Sequence, residues 1–397
     1  MKSKSWAWAP LLLAVPFFAI AADAANGPYG FDNWPTHYVF ADGTDLGMSV
    51  KYQYDVDRYS GSDGALEDAQ TNRRKEFGAF IKKAGVYDAT AVYDFQAKTW
   101  LDVFARVQTK ALFGTDMGAL RAGFTKTPVG FEGNTGTGST TFMETALPIQ
   151  AIYASRRVGV DWALARPSYI INLGYYTGGD LGGDSDGHMA AGRVAWTPFN
   201  APGNVLHLGV SASRETPDWI TDGRGVATPP GARLRSKPEA SLTDTRLVDS
   251  GVVAFTDSID RRGLEGLMIE GPWSVQAEYL HADINRQGGR PSYSADGYYA
   301  FVSWVITGES RGYAAGNVAD VKPKGPWGAV ELALRYSELN LDDGANLGGK
   351  EHDVTFGANW YINRYLKLQG NYVHADSTRR DVVVDPNVLE FRAQVMF

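Results

Sequence analysis

The sequence predicts an all-β protein, a transmembrane antiparallel β-barrel of about sixteen strands with loops folded inward to constrict it. Three observations carry this prediction. The chain opens on an export-type segment, alternates apolar and polar residues along most of its length, and closes on an amphipathic strand ending in Phe397.

Lys2 and Lys4 precede an apolar run over residues 11–21 and the small residues Ala22-Asp23-Ala24. A basic start, a short apolar stretch and an A-x-A site make a secretory signal peptide, expected to span 1–24. The run is short for a bilayer span, and Pro10 and Pro16 interrupt it. Residues 25–397 are expected to form the barrel. They hold no stretch of about 18 apolar residues, so no membrane-spanning helix is expected. With no cysteine in the chain, disulfides, thiol nucleophiles and thiolate metal sites are excluded. A formal net charge of -7 argues against nucleic-acid binding. It says little about a pore, where local charge can oppose the global sign.

Segments 48–57, 73–84, 86–95, 119–125, 157–164, 169–177, 189–198, 205–214, 263–270, 273–284, 298–307 and 366–375 read as strands. In others the two faces separate cleanly. Leu101, Val103, Ala105 and Val107 stand opposite Asp102, Arg106 and Gln108. Val330, Leu332, Leu334 and Tyr336 stand opposite Glu331, Arg335 and Ser337. Val354, Phe356, Ala358, Trp360 and Ile362 stand opposite Thr355, Asn359 and Asn363. A barrel with a wet interior produces this dyad, but so does a half-solvated soluble sheet. The ends of the chain separate the two. Leu389, Phe391, Ala393, Val395 and Phe397 alternate with Glu390, Arg392, Gln394 and Met396, which resembles the assembly signal of Gram-negative outer-membrane barrels.

Short breaks at 200–204, 271–272 and 363–364 read as periplasmic turns. Longer ones at 178–187, 287–296 and 342–350 read as extracellular loops. Two segments, 127–156 and 215–261, exceed simple loops and are expected to fold inward as constrictions. Within the second, Arg233-Leu234-Arg235-Ser236-Lys237 places a cation at every second residue. In extended backbone all three fall on one side, about 6.6 Å apart. On a soluble sheet that is a solvated face; inside a water-filled barrel it is a track for anions. Asp180, Asp184 and Asp186 read as a polar surface loop before a Ca²⁺ site, and the six histidines lack metal-ligand spacing. An outer-membrane enzyme would need a serine-histidine-acid group, and Ser274 to His281 offers only the residue types. No enzyme activity and no cofactor are expected.

The chain resembles the phosphate-selective porins O and P. The resemblance rests on blocks in order: Arg121-Ala122-Gly123-Phe124-Thr125-Lys126-Thr127-Pro128, Thr141-Phe142-Met143-Glu144 with Leu147-Pro148, and Leu234-Arg235 through Lys237-Pro238-Glu239. It continues through Arg246-Leu247-Val248-Asp249-Ser250-Gly251, Gly271-Pro272-Trp273-Ser274-Val275-Gln276-Ala277-Glu278-Tyr279 and Trp304-Val305-Ile306-Thr307-Gly308-Glu309. Glu331 with Arg335-Tyr336-Ser337, Asn359-Trp360-Tyr361-Ile362-Asn363 and Asn371-Tyr372 complete it. The resemblance implies a homotrimer of sixteen-stranded barrels in the outer membrane, inserted by the barrel assembly machinery. It also implies an anion-selective pore taking up phosphate or oligophosphate. Arg233, Arg235, Lys237 and Arg246, with Arg73 and Arg74, match an anion-conducting ladder. Lys126, Lys322 and Lys324, with Arg121, match constriction cations. Lys237 stands where arginine is frequent, a point charge in place of a planar fork, and Thr145 also stands where arginine is common. A general or sugar-conducting porin is the alternative, which would need aromatic rows in the lumen.

Overall fold

A computed structural model describes residues 30–33, 36–62, 64–177, 179, 181, 187–221 and 224–397. The expected signal segment and Asp180, Asp184 and Asp186 lie outside them. Sixteen strands form a closed antiparallel wall. They are β1 (Thr44–Ser60), β2 (Ala69–Lys83), β3 (Tyr87–Asp94), β4 (Thr99–Gln108), β5 (Ala119–Lys126), β6 (Arg156–Arg166), β7 (Tyr169–Thr177) and β8 (His188–Ala201). There follow β9 (Asn204–Thr216), β10 (Thr256–Glu270), β11 (Trp273–Arg286), β12 (Tyr293–Val305), β13 (Ala329–Asp343), β14 (Asn346–Tyr361), β15 (Leu366–Arg379) and β16 (Asn387–Met396). Neighbours in sequence are neighbours in the wall, and β16 pairs with β1 from Asn387–Ser60 to Met396–Lys51. Beyond it, Phe397 exchanges backbone hydrogen bonds with Val50, and Thr36 accepts one from Met48. Residues 37–39 pair with 45–47, continuing the line of β16 and covering the start of β1.

Burial is inverted relative to a soluble sheet. Along β13, Arg335 is fully buried while its apolar neighbour Leu334 is 50% exposed. Along β16, Glu390, Arg392 and Gln394 are buried, and Leu389 and Phe391 are exposed. Apolar residues therefore face lipid and polar ones the interior, which selects the barrel over the sandwich. Exposed Trp196, Trp273, Trp304 and Trp360 lie toward the end of the wall with the short turns, as one girdle. Trp273 and Trp304 stack at 5.0 Å. That end is periplasmic by turn length. Among the described residues no helix is long and apolar enough to cross a membrane.

Most expected breaks fall where the sequence placed them, with two corrections. The expected loop 342–350 is a two-residue turn at 344–345, with Gly344 at φ 57 supplying the backbone that hairpin requires. The connection expected at 287–296 closes sooner, since β12 starts at Tyr293.

Three connections enter the lumen. From the extracellular end come residues 127–155, the constriction insertion, and residues 230–255 of the connection between β9 and β10. The third, residues 306–328, enters from the periplasmic end and was not expected from sequence. The first two build a dry core inside the barrel. Phe142, Leu147, Ile149 and Ile152 of the first pack with Leu234, Val248 and Val253 of the second, against Ile259, Leu280, Ile284, Leu339 and Leu341 of the wall. Arg335 locks them down. Its Nε and NH2 groups donate to Glu239 Oε2 at 3.0 and 2.5 Å, its NH1 to Glu132 Oε1 at 3.3 Å, and its guanidinium lies over Phe142. The side of the lumen lined by β10–β16 is thereby filled, and open space is displaced toward β1–β6.

Candidate functional site

That open space is a cavity of about 570 Å³ between β1–β6 and the constriction insertion. Six basic side chains and two acidic ones line it: Lys51, Arg74, Arg121, Lys126, Arg156 and Arg193 against Glu76 and Asp102. Its local sign thus opposes the chain's net charge of -7. Strand parity and two bulges bring these groups together. Lys51 shares its face of β1 with Gln53, Asp55 and Asp57, so the pleat turns it inward. In β2 the register slips between Gln53–Arg74 and Tyr54–Asn72, leaving Arg73 as an extra residue. A bulge turns two successive side chains to one side, and both Arg73 and Arg74 have inward partners. A second bulge, opposite Val92, brings Leu101 to the cavity beside Asp102. Leu101 therefore departs from the outward face expected for it with Val103, Ala105 and Val107.

Each cation has a defined seat. Lys51 Nζ donates to Glu76 at 2.8 Å and to Thr137 Oγ1 at 3.1 Å. Lys126 Nζ donates to the Thr135 carbonyl at 2.6 Å. The two lysines grip the tip of the constriction insertion at neighbouring points. Arg156 forms a two-pronged pair with Asp102 at 2.9 and 3.1 Å. Arg121 pairs with Asp161 and lies over the Phe104 ring. Arg193 donates to Glu265 at 2.7 Å and to the Gly316 carbonyl at 2.8 Å, tying the periplasmic hairpin to β8.

The row from Arg233 to Lys237 does not belong to the wall. It lies on the inward-folded insertion, where Gly231–Ala232 pairs with Val253–Ala254 and Arg235–Ser236 with Val248–Asp249. The period of two is kept: Ala232, Leu234 and Ser236 are buried, whereas Arg233 and Arg235 are exposed and Lys237 is half-buried. The hydrophobic alternate residues anchor the segment, and the cations face out of its packed side. Arg233 is matched by the Asp249 carboxylate, through Nε at 2.8 Å and a second, shorter contact. Arg235 and Arg246 make no ion pair among the described residues. Lys237 Nζ donates to the Ser241 carbonyl at 2.9 Å, and Arg73 Nε reaches Ser241 Oγ at 2.8 Å. Ser241 thereby joins the row to β2. Glu144 sits beneath this junction, bound by Arg73 at 3.3 Å and Arg392 at 3.0 Å. Its burial disfavours the charge, yet Arg73, Arg392 and Arg74 hold its carboxyl down to about 2. Burial, followed by neighbouring Arg246, lowers the Lys237 ammonium from its ordinary value. Burial and Arg235 do the same to Arg246.

Among the expected constriction cations, Lys126 and Arg121 line the cavity. Lys322 and Lys324 do not; both are exposed, on the periplasmic insertion between β12 and β13. Sequence reasoning missed Lys51, Arg156 and Arg193. Lys51 was signalled by the polar face it shares with Gln53, Asp55 and Asp57. Ser274 is buried and bonded to Ser303, whereas the half-buried His281 lies on the opposite face of β11, bonded to Asp283. They form no joint site. Among the described residues no cluster of metal-ligating side chains occurs.

A closed sixteen-stranded barrel with a polar lumen, narrowed by inward insertions, is a porin of the outer membrane. The chain belongs to the phosphate-selective porin O and P family, whose model matches residues 46–397. Porin O of Pseudomonas aeruginosa is 30% identical over 223 residues, covering 49% of this chain and 50% of that one. An uncharacterized protein of Caulobacter vibrioides is 29% identical over 248 residues, covering 58% and 48%. The chain thus spans about half the length of the curated relatives it matches. An anion-selective porin from Comamonas acidovorans has a similar structure, with TM-score 0.57 at 13% identity, covering 89% of this chain and 100% of that one. At that identity the likeness shows the fold.

Proposed function

We propose that the protein is a passive anion channel of the outer membrane, conducting phosphate or an oligophosphate, and that it works as a homotrimer after removal of residues 1–24. The observation that carries this reading is the excess of six basic over two acidic side chains around the open part of the lumen. Arg235, Lys237 and Arg246 receive the anion on the inward hairpin. Arg73 and Arg74, set side by side by the bulge, pass it to the space between Lys51, Lys126 and Arg156. Phosphate is strongly hydrated, and charge-assisted donors replace the water that a narrow passage strips away. Release requires several moderate sites in place of one deep one. Cations closer than the Debye length of about 8 Å overlap in potential, which smooths the path between sites. The pairing of Arg233, Arg73 and Arg156 with carboxylates keeps any single site from holding the ion too tightly. The structurally similar porin from Comamonas acidovorans is itself anion-selective.

The test is single-channel recording of the purified protein in potassium chloride with phosphate added. Anion preference in the reversal potential, with chloride current falling as phosphate rises, is expected. Cation preference, or chloride current indifferent to phosphate, overturns the reading.

A further inference from the structure

The outer, lipid-facing side of β9 and β10 ends in charge. Strand parity turns Leu208, Val210 and Arg214 outward on β9, and Arg262, Leu264 and Met268 outward on β10. Tyr279, Tyr298 and Tyr336 are exposed on the same outer side toward the extracellular end, as the second aromatic girdle. Arg262 faces His281, one repeat of the pleat beyond Tyr279, and Arg214 faces Asp260, one repeat farther. Both arginines therefore stand at headgroup height, where their side chains are 68% and 64% exposed. Their ion pairs are loose. Arg262 NH1 lies 3.5 Å from Asp283 and Arg214 Nε 3.7 Å from Asp260, both beyond ordinary hydrogen-bond length. The two carboxylates are bonded by other donors: Asp260 by Asn285 at 3.0 Å, and Asp283 by Ser294 at 2.9 Å and His281 at 3.0 Å. Apart from the Arg214 NH2 bond to Ser258 at 3.2 Å, the two forks are open to what lies outside the wall.

We propose that this face binds a phosphorylated lipid of the outer leaflet, its phosphate held by Arg214 and Arg262 and its acyl chains laid along β9 and β10. In the β9–β10 ladder Ala212 faces Arg262 while Arg214 faces Asp260, so the two arginines are diagonal neighbours, about 7–8 Å apart at the backbone. Side chains of that length converge on one phosphate group, and a planar fork takes two of its oxygens. Ala212, small and directly opposite Arg262, leaves room for that group. Below the arginines, exposed Val210, Leu264, Leu208 and Met268 give the acyl chains an apolar surface. A free anion would use the forks alone. Charge continuous with apolar wall selects a lipid, since one molecule then satisfies both. The site lies outside the wall, apart from the cations of the lumen.

The experiment titrates the purified full protein in detergent with fluorescently labelled diphosphoryl lipid A, and with the same lipid stripped of its phosphates. The phosphorylated lipid is expected to bind about tenfold or more tightly, the scale of two arginines each drawing a headgroup phosphate. Arg214→Gln/Arg262→Gln is expected to erase that preference, and Arg262→Gln alone to lower it about threefold to fivefold. Millimolar inorganic phosphate is expected to leave the lipid bound, because a free anion gains nothing from the apolar wall. Equal binding of both lipids by the wild type, or a preference that survives the double variant, overturns the proposal. Displacement by inorganic phosphate overturns it too, by placing the headgroup in the lumen. Should the double variant fail to fold, the single variant and the competition with inorganic phosphate decide.

Discussion

Individual charges in the lumen divide into those with a carboxylate partner and those without, and this division orders their effects. Arg233 is bound by Asp249, whereas Arg235 has no ion pair among the described residues. Arg235→Ala is expected to lower the anion-to-cation permeability ratio by about twofold to threefold, the effect of one unit charge over ~7 Å of water. Asp249→Asn is expected to raise the ratio, because it frees Arg233. Reversal potentials across a salt gradient read both, and changes of the same sign would refute the assignment. Lys237 adds a pH dependence. With its ammonium lowered by burial and then by Arg246, it is charged below its own pKa and loses charge as pH rises through it. That loss begins below the ordinary lysine value of about 10.4. Anion preference is expected to weaken on the alkaline side in the wild type and to persist there in Lys237→Arg, measured as reversal potential against pH. The row itself was legible in the sequence because a period of two in extended backbone is a local property. Its compensation by Asp249 was not, because that depends on how the hairpin folds back sixteen residues later.

At the scale of elements, wall strands were legible and insertions only in part. Alternation in β13 and β14 marked both faces, since lipid on one side and water or polar filler on the other impose it residue by residue. The dry core inside the barrel left a fainter trace. In β13 the inward face changes from Glu331, Arg335 and Ser337 to Leu339 and Leu341. The inward hairpin at 312–319 gave no such warning: it is short, rich in glycine and alanine, and anchored by the distant His207, Arg193 and Glu265. Replacing residues 306–328 by a short turn is expected to raise single-channel conductance severalfold with the wall intact, judged by heat-modifiable migration on gels. Unchanged conductance would mean that the hairpin does not border the conducting path. The clasp at Arg335 makes a separate prediction. Arg335→Leu strands the buried Glu239 and Glu132 carboxylates and is expected to cost about 3–5 kcal/mol in denaturant unfolding. A loss under about 1 kcal/mol would show that the two insertions are held by their apolar contacts alone.

For the whole molecule, the governing feature is an asymmetric lumen. Two extracellular insertions pack into a core against β10–β13, a periplasmic hairpin enters from below, and the remaining aqueous space runs along β1–β6, where the cations gather. This explains why Lys51 and Arg156 line the open space although no motif marked them, and why Lys322 and Lys324 do not. Which side of a barrel stays open is decided by long-range packing, which strand periodicity does not encode. It also reconciles a chain of net charge -7 with a positive passage. The most direct test of the central claim is the zero-current potential of the purified protein across a tenfold potassium chloride gradient, repeated as phosphate is added. The account requires a potential of the sign set by chloride, and a chloride conductance that falls as phosphate occupies the path. A potential of the sign set by potassium, or a chloride conductance that phosphate leaves untouched, would contradict it.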